Sequence, residues 1–371
     1  MLGTIIVPYT EKVFGDHNYE VLTSSRNGIQ RQSEHFAGKQ RHDTDGYNII
    51  PRGYCTYRNR SDDGLFTFNM NNIVDEGIVS KFYPVFTFQN ANSSFMMEYL
   101  NGSPRVRAKL AVLAVGTSQV VLSFETLKET SFYLPTFEEQ NRIATLLSAL
   151  NERIEKQRTL VEHLKKYKRG AITLILSNKD VSWKSGKLGD FITINRGGSP
   201  RPIEEFITNA PDGVNWIKIG DVSEDSLYIT QTAEKITVEG SRKSRKVFAG
   251  DLILSNSMSF GRPYIMQIEG CIHDGWLLLR DDGACFDKKY LCYYLASDEV
   301  LAQYKKYAAG SCVSNLNSEL VSNVFIEFPP LQKQKEIASS LESLDERINC
   351  EIKLLDKLTL IKKGLLQSLF I

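Results

Sequence analysis

The sequence predicts an α+β protein with two β-rich domains, joined by two long antiparallel helices that form a coiled coil, and with an internal pseudo-twofold repeat. Three observations carry this. The stretch ATLLSALNERIEKQ at 144–157 is echoed by ASSLESLDERINCE at 338–351, 194 residues downstream. Each copy lies in an apolar seam of helical period. Outside the seams, short apolar runs alternate with Gly, Pro, Asn and Asp, the pattern of strands and turns.

Aligned from Pro135 and Pro329, the repeat runs without a gap to Ser177 and Ile371. Thirteen of 43 positions are identical, among them Gln140/Gln334, Glu152/Glu346, Arg153/Arg347 and Gly170/Gly364. The same offset continues upstream, where Gly116-Thr117 faces Gly310-Ser311 and Leu122 faces Leu316. The duplication therefore includes more than the helices. The first seam is Leu147, Leu150, Ile154, Val161 and Leu164, continuing to Ala171 and Ile175. The second is Leu341, Leu344, Ile348, Leu355 and Leu358, continuing to Leu365 and Leu369. Spacings of three and four over about six heptads indicate a coiled coil. Gln157, Lys168, Glu351 and Lys362 are its polar positions. Pro135 and Pro329-Pro330 stand just before the helices, where proline is tolerated. Gly170 and Gly364 cost the helix interiors about 1 kcal/mol each; a close backbone approach and a simple bend would each explain them.

These features divide the chain into a first domain (1–134), a long helix (135–177), a second domain (178–328) and a second long helix (329–371). For the seams to pair, the second helix must run back toward the first domain. About 42 residues at roughly 1.5 Å each make a rod of about 63 Å.

Composition narrows the class. With 42% hydrophobic and 24% charged residues, wholesale disorder is excluded. No apolar run approaches the roughly 20 residues of a membrane span, and the N-terminal stretch lacks the basic start of a signal peptide. Six cysteines without a CxxC pair point to reduced thiols in a cytosolic protein. The net charge is +1. Basic and acidic side chains number 13 and 13 in 1–134, 8 and 5 in 135–177, 17 and 20 in 178–328, and 7 and 6 in 329–371. DNA binding, if present, must use local patches.

In the second domain, strands are expected near Phe191–Ile194, Trp216–Ile219, Asp251–Leu254, Tyr264–Gln267 and Trp276–Leu279, with a helix over Lys288–Tyr307. The first domain carries YEVLTSSRNGIQRQSEHF, DGYNIIPRGYCTYRNRSDDG and GIVSKFYPVFTF, also β-rich, with a matching helix near Phe95–Leu100. The loops differ between halves far more than the helices do, as expected of two heads that read different things.

Several stretches together resemble the specificity subunit of type I restriction-modification systems. They are WKSGKLGDFITINRGGSP, NWIKIGDV, AGDLILSNS at 249–257, YEVLTSSRNGIQRQSEHF at 19–36, GIVSKFYPVF at 77–86, and LPTFEEQ and PPLQKQ leading into the helices. The resemblance covers essentially the whole chain. It implies two target-recognition domains, each reading one half of a bipartite double-stranded DNA target, with the helical pair setting the gap. It also implies two docked methyltransferase subunits, which carry S-adenosylmethionine and methylate adenine, and two motor–nuclease subunits in the full complex. The chain itself would be a non-catalytic subunit in the prokaryotic cytoplasm, with no bound cofactor, metal or membrane. Two departures stand out. Leu2-Gly3 aligns with Leu188-Gly189, but Thr4 stands where Asp190 is, and no equivalent of Val181–Trp183 precedes it. Lys333 replaces the Glu expected from Glu139, so one methyltransferase contact is expected to be asymmetric.

DNA-contact candidates lie in the polar turns. In the first domain they are Arg26, Gln30, Arg31 and Gln32 beside a glycine turn, and Tyr57, Arg58, Asn59 and Arg60 in another. In the second they are Ser199, Arg201, Asn256, Ser257 and Arg262. Arginine suits guanine, and asparagine or glutamine suits adenine; turn chemistry and phosphate positioning are the competing uses. Arg242, Lys243, Arg245 and Lys246 in SRKSRK fit phosphate contact, or simply a solvated run. His35, Trp183, Trp216 and Trp276 read as packing residues, and His273-Asp274 beside Cys271 as a strand-end turn rather than a metal site. GGSP at 197–200 lacks the Lys-Ser/Thr of a phosphate loop. No methyltransferase or nuclease signature accompanies these. A two-headed coiled-coil adaptor without sequence-specific DNA binding is the alternative reading.

Overall fold

In the computed structural model, residues 1–35, 43–222, 226–256, 261–308 and 315–370 are described. The chain divides into two compact units, Met1–Arg158 with Leu354–Ile371, and Thr159–Lys353.

The first unit is built on two four-stranded sheets. One has the order Ile6–Tyr9, Val85–Phe88, Cys55–Tyr57, Phe68–Met70, all antiparallel. The other has the order Gly28–Arg31, Glu20–Ser25, Glu76–Val79, Asn48–Pro51, with the central pair parallel. Wholly buried Tyr57, Phe86 and Phe95, with Leu147 from the first long helix and Phe370 just past the end of the second, contribute to its core.

The second unit repeats this plan. Thr193–Arg196, Trp276–Arg280, Leu252–Ser255 and Pro263–Met266 take the same order and senses as the first sheet, with Tyr228–Ile229 added. Glu234–Ile236, Val214–Ile217, Gly270–Ile272 and Arg245–Val247 match the second, again with the central pair parallel, and Ile207–Thr208 added. The strand orders and senses repeat; the loops between the strands do not. The strand pair Glu20–Ser25 and Gly28–Arg31 closes through a two-residue turn, Arg26-Asn27. Its counterparts Val214–Ile217 and Glu234–Ile236 are separated by residues 218–233.

The expected single helix over Lys288–Tyr307 is two helices, Lys288–Leu295 and Asp298–Ala308. Ser297 interrupts it: buried, its hydroxyl accepts from the Val300 N–H at 3.4 Å, which starts a new helix. The first unit does the same with Ser93–Gly102 and Pro104–Leu113, where Ser103 caps Val106. The helix expected near Phe95–Leu100 is thus longer and has a successor. Strands begin within two residues of their expected starts.

The long helices span Phe137–Ser177 and Leu331–Leu369. Of the seam residues, Leu147, Ile154, Val161, Leu341 and Ile348 are buried, while Leu150, Leu164, Leu344, Leu355 and Leu358 are half-buried. In the second unit, Ile172, Ile175 and Leu176 of the first long helix pack in one core with Ile337, Ala338 and Leu341 of the other. The helices are antiparallel there. In the first unit Ala144 and Leu147 share a core with Leu366 and Phe370, in the same antiparallel sense.

Gln140 and Gln334 hold the head of each long helix. The Gln140 amide oxygen accepts the Asn92 N–H at 3.0 Å while its nitrogen donates to the Pro135 carbonyl at 2.9 Å. Gln334 accepts from Asp287 N–H at 2.9 Å and donates to Pro329 at 2.9 Å. Both are buried. Asn92 and Asp287 are the caps of the equivalent domain helices, so one side chain ties two helix starts in each unit. Neither glycine in the long helices is explained by close approach. Outside its own helix backbone, a Cβ at Gly170 or Gly364 would meet no atom within 4 Å. Among the described residues, no helix is long and apolar enough to cross a membrane.

Candidate nucleic-acid interface

In the first unit, the turn at Arg26 and the strand Arg60–Ser61 come together around a polar cleft of about 330 Å³, lined by Arg26, Arg58, Arg60, His35, Ser61 and Asp62 among others. Arg26 is held by Asp63 at 2.5 Å. The Asp63 carboxyl is lowered below its usual range, first by the Ser61 hydroxyl and then by Arg26 and the Leu65 N–H. Arg60 stacks over Phe82 with 5.4 Å to the ring centroid. Arg58 is exposed at the rim. His35, expected to pack, is instead exposed, with Nδ1 2.9 Å from the Gln30 amide oxygen.

Gln30, Arg31, Tyr57 and Asn59 of this head make contacts within the unit. Gln30 also accepts from Ser25 Oγ at 3.4 Å. Arg31 pairs with Glu20 and lies 3.7 Å from Glu34, and the Glu20 hydrogen bond raises its already high pKa. Gln32 opens the four-residue helical turn Gln32–His35 and is half-buried. Tyr57 must be corrected. It is wholly buried between Phe68 and Phe86, its hydroxyl donates to the Leu122 carbonyl at 3.0 Å, and burial pushes the phenol pKa up. Tyr57 ends the strand Cys55–Tyr57, which is buried along its whole length, and Arg58, just past the strand, is exposed. Asn59 receives the Leu122 N–H on its carbonyl at 2.9 Å and turns its amide oxygen inward, where among the described residues it meets no donor.

In the second unit the organising residue is Asp274, expected from the sequence only as part of a strand-end turn. Its Oδ1 accepts from Ser199 Oγ at 2.8 Å and lies 3.0 Å from His273 Nε2; its Oδ2 lies 3.4 Å from Arg201 Nη2. Its main-chain carbonyl accepts from Arg196 Nε at 3.2 Å and from the Asn256 amide at 2.9 Å. Burial alone would raise this carboxyl, but the Ser199 hydrogen bond, His273 and Arg201 bring it below its usual range. The Gly275 N–H donates to His273 Nδ1 at 2.8 Å, which leaves the ring proton on Nε2, facing Asp274. Gly197 is required by this packing, since a Cβ there would sit 2.2 Å from the His273 carbonyl oxygen. GGSP is therefore a turn seated on the 273–275 turn.

Arg242, Lys243, Arg245 and Lys246 run from the end of the helix Val238–Arg242 into the edge strand Arg245–Val247, and all four are exposed. Lys243 lies 3.3 Å from Glu239 and over the Phe206 ring at 4.5 Å, and Arg245 Nε donates to the Arg196 carbonyl at 3.3 Å. Arg242 and Lys246 have no ion-pair partner among the described residues. Asn256 needs correction as a base reader. It is buried, accepts the Leu316 N–H on its carbonyl at 2.9 Å, and ties that segment to the Asp274 turn. Ser257 lies outside the described residues. Arg262 is apart from this group, lining a separate concavity of about 580 Å³ with Lys165, Arg169 and Asp345. Trp216 and Trp276 are buried and Trp183 is half-buried. At the start of the second long helix Lys333 lies 3.4 Å from Glu336. Among the described residues no group of three or more His, Cys, Asp or Glu is placed to hold a metal ion.

The family model for the type I restriction modification DNA specificity domain matches residues 15–164 and 180–360. Two Methanocaldococcus jannaschii proteins are similar to the chain. One, provisionally named the type I restriction enzyme MjaX specificity subunit, is 22% identical over 264 residues, covering 66% of this chain and 59% of that protein. The other, the type I restriction enzyme MjaVIII specificity subunit, is 25% identical over 191 residues, covering 51% and 42%. The chain thus matches about half the length of these curated relatives. In fold it resembles a chain from a structural study of complex assembly and conformational transition in the type I R-M system, with a TM-score of 0.61, 19% identity, and 98% and 95% of the two chains covered. It also resembles the S subunit of a type-I restriction-modification system from M. genitalium, with a TM-score of 0.61, 15% identity, and 100% and 95% covered. Since the family model matches both halves, each with its sheets and its share of a long helix, this chain belongs to the type I restriction modification DNA specificity domain family.

Proposed function

We propose that this chain is the sequence-specific DNA-recognition subunit of a type I restriction-modification enzyme, each head reading one half of a bipartite duplex target. One observation carries the reading: the scaffold is duplicated and the arginine-bearing turns are not. Sheet order and the Gln140/Gln334 bonds repeat, whereas Arg26 and Arg201 lie on different turns of different sheets. Two heads reading one sequence twice would have kept their turns. Exposed arginines and lysines on such turns suit phosphate positioning and base-edge hydrogen bonds, and they form the local patches that a net charge of +1 requires.

In this reading the two long helices set the separation of the half-sites as a coiled coil, and dock the partners. Exposed apolar side chains support docking. Tyr167 and Leu174 flank Gly170, Leu360 and Ile361 flank Gly364, and all four are more than half exposed. The partners are two methyltransferase subunits, which bring S-adenosylmethionine and the adenine chemistry, and two motor–nuclease subunits. The chain supplies recognition and no catalytic group, and acts in the prokaryotic cytoplasm.

The test is a gel shift with bipartite duplex DNA over a range of salt, with and without the methyltransferase subunit. Expected is sequence-selective binding whose log affinity falls linearly with log salt. No selective binding in either condition would favour a two-headed adaptor.

A further inference from the structure

We propose that Arg26 and Arg201 are the guanine-reading residues of the two heads, each braced by an aspartate, Asp63 in the first and Asp274 in the second. The inference rests on the DNA-recognition reading above and goes beyond it by naming the specificity-determining pair of each head.

The same three-part device occurs in both units. Arg26 Nη2 lies 2.5 Å from Asp63 Oδ2, and the other oxygen of Asp63 accepts from Ser61 Oγ at 2.9 Å and the Leu65 N–H at 3.2 Å. Arg201 Nη2 lies 3.4 Å from Asp274 Oδ2, and the other oxygen of Asp274 accepts from Ser199 Oγ at 2.8 Å and faces His273 Nε2 at 3.0 Å. In each case one carboxylate oxygen is pinned by a serine and the second is offered to an arginine. The two devices are not copies of one another. Arg26 sits in the turn between Glu20–Ser25 and Gly28–Arg31 of one sheet, while Arg201 follows the strand Thr193–Arg196 of the other. Two unrelated turns have arrived at one arrangement.

Its chemistry favours base reading over phosphate contact. The arginine side chains are 66% and 79% exposed, so each pair is formed at an open surface. The aspartate engages one Nη2 and leaves the rest of the five-donor fork free for the O6 and N7 acceptors of guanine. Bracing orients the fork before binding, which lowers the entropy lost when it docks. The carboxylate also cancels the local charge. A neutral pair gains little from displacing counterions at a phosphate, but keeps its directional hydrogen bonds. Arg58, Arg242 and Lys246 have no ion-pair partner among the described residues and are better suited to the phosphates.

The test selects bound duplexes from a randomised pool with the full chain, alone and assembled with its methyltransferase subunit. It compares the wild type with Arg26→Lys, Asp63→Asn, Arg201→Lys and Asp274→Asn. Lysine keeps the charge and loses the fork, and asparagine removes the brace. Expected for Arg201→Lys and Asp274→Asn is a loss of preference for one guanine in one half-site, on the order of tenfold to hundredfold. The other half-site should be unchanged and so serves as an internal check that the protein is folded. Arg26→Lys and Asp63→Asn should show the mirror result. The asparagine variants should bind random duplex at least as well as the wild type, because a negative charge is gone. An unchanged motif in the lysine variants, or weakening that is uniform over all sequences, would overturn the proposal. A wild type that selects no motif would overturn the recognition reading, and this inference with it.

Discussion

Gln140 and Gln334 hold identical places in the repeat, are buried, and bond the same two kinds of backbone group. Truncating either strands a donor and an acceptor that water does not readily reach. We expect Gln140→Ala and Gln334→Ala each to destabilise its own unit by about 1–3 kcal/mol, seen as a lower urea midpoint. Asp274 makes a pH-dependent contribution. Its pKa in the folded protein lies below the ordinary carboxylate value, so its stabilisation is present above about pH 4 and is lost as pH falls through the depressed folded value. The stability difference between wild type and Asp274→Asn should be constant near neutrality and shrink below about pH 4, measured by unfolding across that range. Tyr57 and Asn256 show the limit of residue-level reading. Both have side chains suited to base contact, and both are buried, because core packing and tertiary hydrogen bonds decide which way a side chain points.

At the scale of elements, the long helices and the prolines that precede them were legible, and the interruptions of the domain helices were not. Ser103 and Ser297 each stop one helix and cap the next, yet serine in a helical run carries no such signal unless its hydroxyl is turned to the backbone. Each unit also joins a domain helix to both long helices around one lysine–carboxylate pair. In the second unit Lys168 meets Asp345 at 2.5 Å, and Tyr293 donates to the same carboxylate at 2.7 Å. In the first, Lys362 lies 3.4 Å from Glu98, which also accepts from Asn151 at 2.6 Å. The lysines are equivalent in the repeat. The carboxylate has moved from the long helix at Asp345 to the domain helix at Glu98, with Asn151 standing where Asp345 has its match. Gly170 and Gly364 have open space where a side chain would go. Gly170→Ala and Gly364→Ala should therefore stabilise the free chain by about 1 kcal/mol each, checked by thermal unfolding. If the flanking apolar faces dock the methyltransferase subunits closely, the same variants should weaken assembly while the isolated chain becomes more stable.

For the whole molecule, the duplication is the central fact, and its functional test is one of length. Inserting four residues near Val161 adds about 6 Å to the first long helix, one or two base-pair steps at roughly 3.4 Å each. On the proposed DNA-recognition reading, the recognised sequence should keep both half-sites and lengthen its gap, read from the methylated motif of the chain assembled with its methyltransferase subunits. A fixed gap with altered half-sites would refute the helices as a spacer. By itself the sequence determined the repeat, the two long helices with their antiparallel sense, and the β-rich heads. Those follow from periodicity and from identities 194 residues apart, which are properties of the chain in order. Only the tertiary structure decided which loop residues act together. Arg201 and Asp274 are 73 residues apart, and Arg26 and Asp63 are 37. Strand pairing closes those distances, and no periodicity records which turns will meet.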